Sequence, residues 1–256
     1  MREFYIEDDG IRLHAKLDMP AGITDEEAEA GKVRCPLAIV IHGLTGHMEE
    51  PHIRAVASLM NEMGAASLRV EMYGHGQSGG KFYEHNIIKW LSNAMRVTDY
   101  ARSLPFVTDM YLCGHSQGGI TAMLLAGMEP EVYKALLPLS PGTMIARGAR
   151  TGRLFGTEFD PLHVPDEIYV NSERKVSGNY IRAAQLVDVD QAIRQYRGPV
   201  LIVHGDEDEA IPVHFSAEAA SQYGNAELVI IQGDDHCYNY HLDQVLSAVR
   251  TFIEKL

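Results

Sequence analysis

The sequence has few cysteines and no long apolar run. An odd number of cysteines without regular spacing argues against a disulfide framework and favours a reducing compartment. No stretch approaches the roughly 18 consecutive apolar residues that a membrane-spanning helix needs, and the first ten residues lack the apolar core of a signal peptide. We therefore expect a soluble, cytoplasmic protein that does not bind membranes. The 256 residues contain three cysteines, Cys35, Cys113 and Cys237.

Basic residues are also scarce, with 22 Lys and Arg against 35 Asp and Glu and a net charge of −13. This balance argues against nucleic acid as a partner, because nothing would offset the repulsion from phosphate groups. Metal-ligand patterns are missing too. His42, His47 and His52 are spaced by five, and no H-E-x-x-H motif or Cys/His cluster occurs. We therefore expect no metal site.

Apolar residues make up 46% of the chain, which is long enough for one α/β domain with a sizeable core. Two short strands around Asp8-Asp9-Gly10 predict an antiparallel hairpin at the start. Apolar runs then alternate with helix-patterned stretches, which predicts a mostly parallel sheet covered by helices on both faces. The predicted strands after the hairpin cover 37–41, 66–70, 110–113, 135–139, 200–203 and 228–231, and the predicted helices cover 53–63, 87–103, 120–128, 215–222 and 242–255.

One segment, 141–195, breaks this alternation and is too long for a simple loop. We interpret it as a lid inserted over the active site, so that residues 1–140 and 196–256 form the core. Arg147, Arg150 and Arg153 recur in it at every third position. That spacing fits a solvated face, and an acidic-substrate clamp is the alternative.

The strongest catalytic signal is Ser116, in the sequence GHSQG at 114–118. It follows an apolar run and precedes a helix-patterned stretch, which predicts a strained strand–turn–helix with the hydroxyl presented outward. A second match, GQSGG at 76–80, places Ser78 in the same local pattern. Its preceding strand ends too early and no small, apolar helix follows. Ser116 is therefore the predicted nucleophile and Ser78 a loop residue.

A serine needs a base and an acid that orients the base, and proteins with this turn carry them in the order Ser, Asp or Glu, His. Both partners are expected in loops that follow strands. Asp208 lies in the loop after strand 200–203, and Asp206 is the nearer, structural alternative. His236 follows the last strand, whereas His214 and His241 lie at or near helices. The predicted triad is Ser116, Asp208 and His236.

The developing oxyanion needs two backbone N–H donors, one from the residue after the nucleophile and one from the loop after an earlier strand. The first is Gln117. The second is expected within 42–46, directly after strand 37–41. Leu44 is the predicted donor, because Gly43 lets the backbone turn inward there.

Five stretches together resemble the α/β-hydrolase superfamily and, within it, the microbial cinnamoyl (feruloyl) esterases. The segments at 72–76 and the pair His236-Cys237 are the more specific to the subgroup. The stretches span nearly the whole chain in the family's order and cover 41–47, 69–78, 114–119, 204–208 and 233–237.

This resemblance implies an α/β-hydrolase fold with an inserted lid, and a serine carboxylesterase that hydrolyses small-molecule hydroxycinnamate esters through an acyl-enzyme without a cofactor. It also implies that Tyr180, in the lid, bonds the substrate phenol, with packing inside the lid as the alternative. A broad-specificity carboxylesterase and a monoacylglycerol lipase-like hydrolase are the main rival functions. A carbon–carbon bond hydrolase and a non-catalytic protein on the same scaffold are further rivals. A homodimer is one arrangement that the sequence leaves open.

Overall fold

A computed structural model describes the whole chain, Met1–Leu256. The strands are β1 (Arg2–Asp8), β2 (Ile11–Asp18), β3 (Cys35–Ile41), β4 (Ala66–Val70), β5 (Val107–His115), β6 (Tyr133–Leu139), β7 (Arg153–Leu154), β8 (Thr157–Glu158), β9 (Glu167–Tyr169), β10 (Lys175–Ser177), β11 (Val200–Gly205) and β12 (Ala226–Ile231). The helices are α1 (Asp25–Glu29), α2 (Pro51–Glu62), α3 (Ile87–Ser103), α4 (Gln117–Met128), α5 (Met144–Thr151), α6 (Asn179–Leu186), α7 (Val189–Gln195), α8 (His214–Gln222) and α9 (Leu242–Ile253), and a 3-10 turn covers Phe82–Glu84.

Eight strands form the central sheet in the order β1-β2-β4-β3-β5-β6-β11-β12. β2 pairs antiparallel with β1 and β4, and every other pairing is parallel. The hairpin between β1 and β2 turns at Asp9 and Gly10, whose φ angles of 44° and 79° suit a tight turn. The predicted mostly parallel sheet with an antiparallel start is confirmed.

Both faces of this sheet are buried, which explains why its strands are continuous apolar runs. Along β3, Ile39 packs into a core of 49 buried residues, while its neighbour Val40 packs into a separate core of 20. The larger core contains Trp90 of α3 and residues of α4, and the smaller contains residues of α2 and α9. The carboxyl ends of the parallel strands are therefore the edge at which loops can form a site.

One short helix was not expected from the sequence. The polar stretch 21–32 contains α1, which begins at a capping box. The Thr24 hydroxyl accepts the Glu27 backbone N–H, and the Glu27 carboxylate accepts the Thr24 backbone N–H. Such reciprocal caps stabilise a helix end locally, without an apolar face of helical period.

The segment 141–195 contains three helices and two small hairpins, β7–β8 and β9–β10. α7 packs closely on α4, since a Cβ atom on Gly127 would lie 2.5 Å from the Ala192 Cα. At the β9–β10 turn, the Arg174 guanidinium donates to the Thr45 carbonyl at 3.2 Å, in the loop after β3. The segment thus contacts the loop predicted to bind the oxyanion, and its division from the core as a lid stays a prediction.

Candidate active site

Ser116 lies in the sharp turn between β5 and α4, with a φ of 55° and a ψ of −116°. Such a backbone costs about 1–3 kcal/mol for a residue with a side chain, and the surrounding packing has to hold it. A Cβ on Gly114 would lie 2.1 Å from the Gly118 carbonyl oxygen, and one on Gly118 would lie 2.4 Å from the His42 carbonyl oxygen. Both glycines are therefore required for strand and helix to approach this closely.

Backbone hydrogen bonds fix this turn to the end of β6. The Ser116 N–H donates to the Leu139 carbonyl at 2.9 Å, and the Ser116 carbonyl accepts the Gly142 N–H at 2.9 Å. Gln117 is the first residue of α4, where an N–H has no acceptor within the helix and the helix dipole favours negative charge. The Gln117 N–H is therefore suited to bind an oxyanion.

The loop after β3 runs directly against the serine. A Cβ on Gly43 would lie 3.1 Å from the Ser116 Cβ, so Leu44 follows immediately after this point of contact. Thr45 has a φ of 66°, which marks a strained position in this loop. The buried His42 ring stabilises the loop through two contacts. Its Nδ1 lies 2.7 Å from the Gly43 carbonyl, and its Nε2 accepts the Met72 N–H at 3.1 Å.

His236 and Asp208 meet at the predicted edge of the sheet. His236 Nδ1 lies 2.6 Å from Asp208 Oδ2, while Oδ1 accepts the N–H groups of Ala210 at 2.9 Å and Ile211 at 2.8 Å. The Asp208 side chain is fully buried and that of His236 is 21% exposed. Burial alone would raise the pKa of Asp208, but hydrogen bonds from His204, His236 and the backbone lower it well below its usual range. Asp208 is thus an ionised, oriented acid.

The alternatives from the sequence lie elsewhere. The exposed Asp206 carboxylate accepts the Gly233 N–H at 2.6 Å and so fastens the loop that carries His236. His214 is the first residue of α8 and its ring lies 4.2 Å from that of Phe215. His241 is the N-cap residue of α9. None of these histidines is hydrogen-bonded to Asp208.

Three further residues hold the site and were not identified from the sequence. The His115 Nε2 lies 2.8 Å from the His236 carbonyl, which links the serine turn to the histidine loop. Asp234 is fully buried and accepts the backbone N–H groups of 235, 240 and 241, which shape that loop. The His204 ring contacts Asp208. The His115 contact joins two distant parts of the chain, whereas the contacts of Asp234 and His204 are local but match no recognised sequence motif.

Tyr180 is fully buried, and its hydroxyl donates to Gln117 Oε1 at 2.6 Å. The ring packs between His85, at 5.4 Å, and Phe155, at 5.5 Å. Burial raises the pKa of the Tyr180 phenol, which therefore stays protonated and remains a donor. The structure thus places Tyr180 next to a predicted oxyanion-hole residue, and its role in binding a substrate phenol stays a prediction.

The arginines of the segment 141–195 have partners within the chain. Arg147 pairs with Glu218 at 2.6 Å, and Arg150 donates to the carbonyls of Gln185 and Val187. Arg153 is exposed. Of the two interpretations, these contacts favour a structural, solvated face over a clamp for an acidic substrate.

No group of three or more His, Cys, Asp or Glu side chains is arranged to hold a metal ion, and no helix is long and apolar enough to cross a membrane.

Acid should destabilise the fold, because several histidines are buried. Burial lowers the pKa of His52 and His75 to about 4 and that of His85 to about 3, against 6.5 for an exposed ring. Below pH 6.5 the unfolded chain then binds more protons than the folded one. The free energy of unfolding therefore decreases as the pH is lowered, by about 2 kcal/mol for each such histidine between pH 6.5 and 5.

Guanidinium unfolding at pH 7, 6 and 5 measures this slope. His85→Gln should reduce the slope by the contribution of this one histidine. The matched substitution at the exposed His214, His214→Gln, should leave the slope unchanged. A free energy of unfolding that stays constant from pH 7 to pH 5 would contradict the assignment of these rings as neutral and buried.

Comparison with known proteins agrees with this architecture. The model of the prolyl oligopeptidase family matches residues 51–254. The solved structure of Est1E from Butyrivibrio proteoclasticus with bound ferulic acid has a TM-score of 0.93 and 51% sequence identity, and the match covers 98% of each chain. The human mitochondrial palmitoyl-protein thioesterase ABHD10 is 22% identical over 238 residues, which cover 87% of this chain and 76% of that protein.

The solved structure of mouse α/β-hydrolase domain-containing protein 10 is 17% identical with a TM-score of 0.77, and the match covers 100% of this chain and 99% of that chain. This likeness concerns the fold alone. The expected α/β-hydrolase fold and the resemblance to the microbial cinnamoyl (feruloyl) esterases are confirmed. Because the family match covers most of its length, the chain belongs to the prolyl oligopeptidase family and has the α/β-hydrolase fold.

Proposed function

We propose that this protein is a serine carboxylesterase that hydrolyses hydroxycinnamate esters through an acyl-enzyme intermediate. The observation that carries the substrate class is the 51% identity, over 98% of both chains, to Est1E, whose structure holds ferulic acid. The strained Ser116 turn and the 2.6 Å contact between His236 and Asp208 support the serine-hydrolase chemistry. The reaction needs no cofactor.

In the proposed acylation step, His236 Nε2 takes the proton from the Ser116 hydroxyl as the oxygen attacks the ester carbonyl. Asp208 accepts the Nδ1–H of His236, which fixes the reactive tautomer and stabilises the imidazolium that forms. The N–H groups of Leu44 and Gln117 bind the oxyanion, where loss of one donor typically reduces the rate by about 10²–10³. His236 then protonates the leaving alcohol. In deacylation, His236 activates a water molecule, which releases the acid.

Tyr180 is the proposed contact for the substrate phenol. Its hydroxyl donates to Gln117, so its oxygen still has lone pairs that can accept a hydrogen bond from a phenol hydroxyl. Because Tyr180 is fully buried beside Gln117, His85 and Phe155, the substrate reaches its hydroxyl only when neighbouring side chains move.

We also propose that the protein is cytoplasmic. The three cysteines are unpaired, which supports this location.

A substrate series tests this function. We expect kcat/KM for methyl ferulate, methyl p-coumarate and methyl caffeate to exceed that for methyl esters of alkyl acids by at least about tenfold, since one hydrogen bond to the phenol and the contacts of the aromatic ring each contribute on the order of 1 kcal/mol. Uniformly weak turnover of the cinnamates beside efficient turnover of alkyl esters would instead indicate a broad-specificity carboxylesterase or a monoacylglycerol lipase-like enzyme.

Tyr180→Phe is the matched variant in the same series. Methyl ferulate should lose about tenfold in kcat/KM, and methyl cinnamate, which has no phenol, should change little. If both esters lose activity equally, Tyr180 acts through Gln117 and not through the phenol. The second ester therefore separates the two interpretations of this residue.

A further inference from the structure

A second histidine contacts the predicted catalytic acid. His204 is near the end of β11 and is fully buried, and its Nε2 lies 3.0 Å from Asp208 Oδ2. The same oxygen accepts the Nδ1–H of His236 at 2.6 Å. Oδ2 is therefore close to two imidazole rings, one from β11 and one from the loop after β12.

The hydrogen bonds of His204 define where its proton is. Nε2 faces Asp208 Oδ2 and the Ile211 carbonyl, at 3.0 and 2.9 Å, and both are acceptors. Nε2 therefore carries a proton in either charge state of the ring. Nδ1 lies 2.7 Å from the hydroxyl of the buried Ser216, at the start of α8. Ser216 and Ile211 thus fix the orientation of the ring independently of Asp208.

The two oxygens of Asp208 consequently face four N–H groups. Oδ1 accepts the N–H groups of Ala210 and Ile211, and Oδ2 accepts the Nδ1–H of His236. His204 Nε2, which donates to the Ile211 carbonyl, lies 3.0 Å from the same Oδ2. With both oxygens held, the carboxylate cannot rotate about its Cβ–Cγ bond without breaking at least two hydrogen bonds. Neutral N–H donors also keep a buried carboxylate ionised, and hydrogen bonds to charged groups are among the stronger ones in proteins.

We propose that His204 is a positioning residue for the esterase reaction, which holds Asp208 Oδ2 in line with the Nδ1–H of His236. This inference rests on the proposed serine-hydrolase function. His204 exchanges no proton during the reaction. With its Nε2–H close to the same oxygen, 3.0 Å between the heavy atoms, it limits how strongly that oxygen attracts the His236 proton. The proton therefore stays on Nδ1, and Nε2 of His236 stays free to accept the Ser116 proton.

Two polar variants separate the contacts of this ring. In His204→Gln the side-chain amide N–H can take the place of Nε2 and still reach Asp208, whereas in His204→Asn the shorter amide takes the place of Nδ1 and reaches only Ser216. We expect His204→Asn to lower kcat on methyl ferulate by about 10- to 100-fold, with KM changed less than about twofold, and His204→Gln to stay within about threefold of the wild type.

Two measurements report on the site directly. The low-field proton resonance of the His236 Nδ1–H should move or broaden in His204→Asn and be retained in His204→Gln. The rate at which a fluorophosphonate labels Ser116 should fall in parallel with kcat. Since labelling needs no ester, a wild type that labels but does not hydrolyse methyl ferulate would contradict the proposed substrate, while the labelling rates of the variants would still test His204.

Equal kcat and equal labelling rates in the two folded variants would overturn the proposal. A loss of thermal stability in both, with unchanged kcat, would also overturn it, since His204 would then be only structural. Should either variant fail to fold, Ser216→Ala decides, because it removes the partner of Nδ1 and leaves the histidine in place. We expect it to lower kcat about threefold to tenfold, and an unchanged kcat would reject the positioning role.

Discussion

Ser116→Ala is expected to lower kcat for ester hydrolysis by about 10⁶-fold, because the hydroxyl forms the acyl-enzyme and no other group at the turn can replace it. The small remaining rate would come from the oxyanion donors, which the substitution leaves in place. Hydrolysis of methyl ferulate measures the loss. Fluorophosphonate labelling followed by peptide mass spectrometry should place the label on Ser116 in the wild type and detect none in the variant.

Ser78→Ala is the matched control, since Ser78 lies in the same sequence pattern. Its hydroxyl accepts the His14 N–H at 2.8 Å and donates to the Glu71 carbonyl at 2.5 Å, so it joins β2 to the loop after β4. We expect activity within about threefold of the wild type and a loss of about 1 kcal/mol in the free energy of unfolding. A folded Ser78→Ala enzyme without activity, or an active Ser116→Ala enzyme, would reject the assignment of the nucleophile.

The sheet could be predicted because its signals are local. The run 37–41 is apolar at every position, and the structure buries its successive residues in two different cores. A strand buried on both faces leaves this pattern wherever it occurs in the chain. The sequence signal of the turn around Ser116 was equally local, since Gly114 and Gly118 are required by contacts within a few residues of Ser116 and with the adjacent β3.

The parts that sequence reasoning missed leave neither an apolar period nor a recognised motif in the chain. The helix α1 is stabilised by one capping box, which gives no apolar period to detect. His115 bonds the carbonyl of His236, 121 positions later in the chain, and His204 contacts Asp208 only because the loop after β11 folds back. A histidine in a strand is otherwise indistinguishable from any other buried ring until its partners are in place.

Tyr180 illustrates a different limit. The sequence left lid packing and phenol binding as alternatives, and the structure shows a third partner, the Gln117 side chain. This contact couples the segment 141–195 to the residue whose N–H is predicted to bind the oxyanion. The side chain and the N–H of Gln117 are separate groups, so loss of the Tyr180 hydroxyl should weaken phenol binding and leave the oxyanion donor in place.

Asp208→Asn is expected to lower kcat by about 10⁴-fold, since loss of the acid lets the histidine adopt the wrong tautomer. The surroundings make this substitution especially unfavourable here. The two oxygens of Asp208 face only donors, namely Ala210 and Ile211 on one side and His236 and His204 on the other. Whichever way the amide turns, its NH₂ group faces two donors, and only the Nε2-protonated tautomer of His236 could accept from it, at Nδ1.

Asp206→Asn provides the control two residues away. The Asp206 carboxylate is exposed and accepts one bond, from the Gly233 N–H, which an amide oxygen can also accept. We expect its kcat and melting temperature to stay close to those of the wild type. Both variants remove one negative charge from the same loop, so a general electrostatic effect would lower their rates alike. If Asp206→Asn lost as much activity as Asp208→Asn, the loop and not the oriented carboxylate would be the source of the effect.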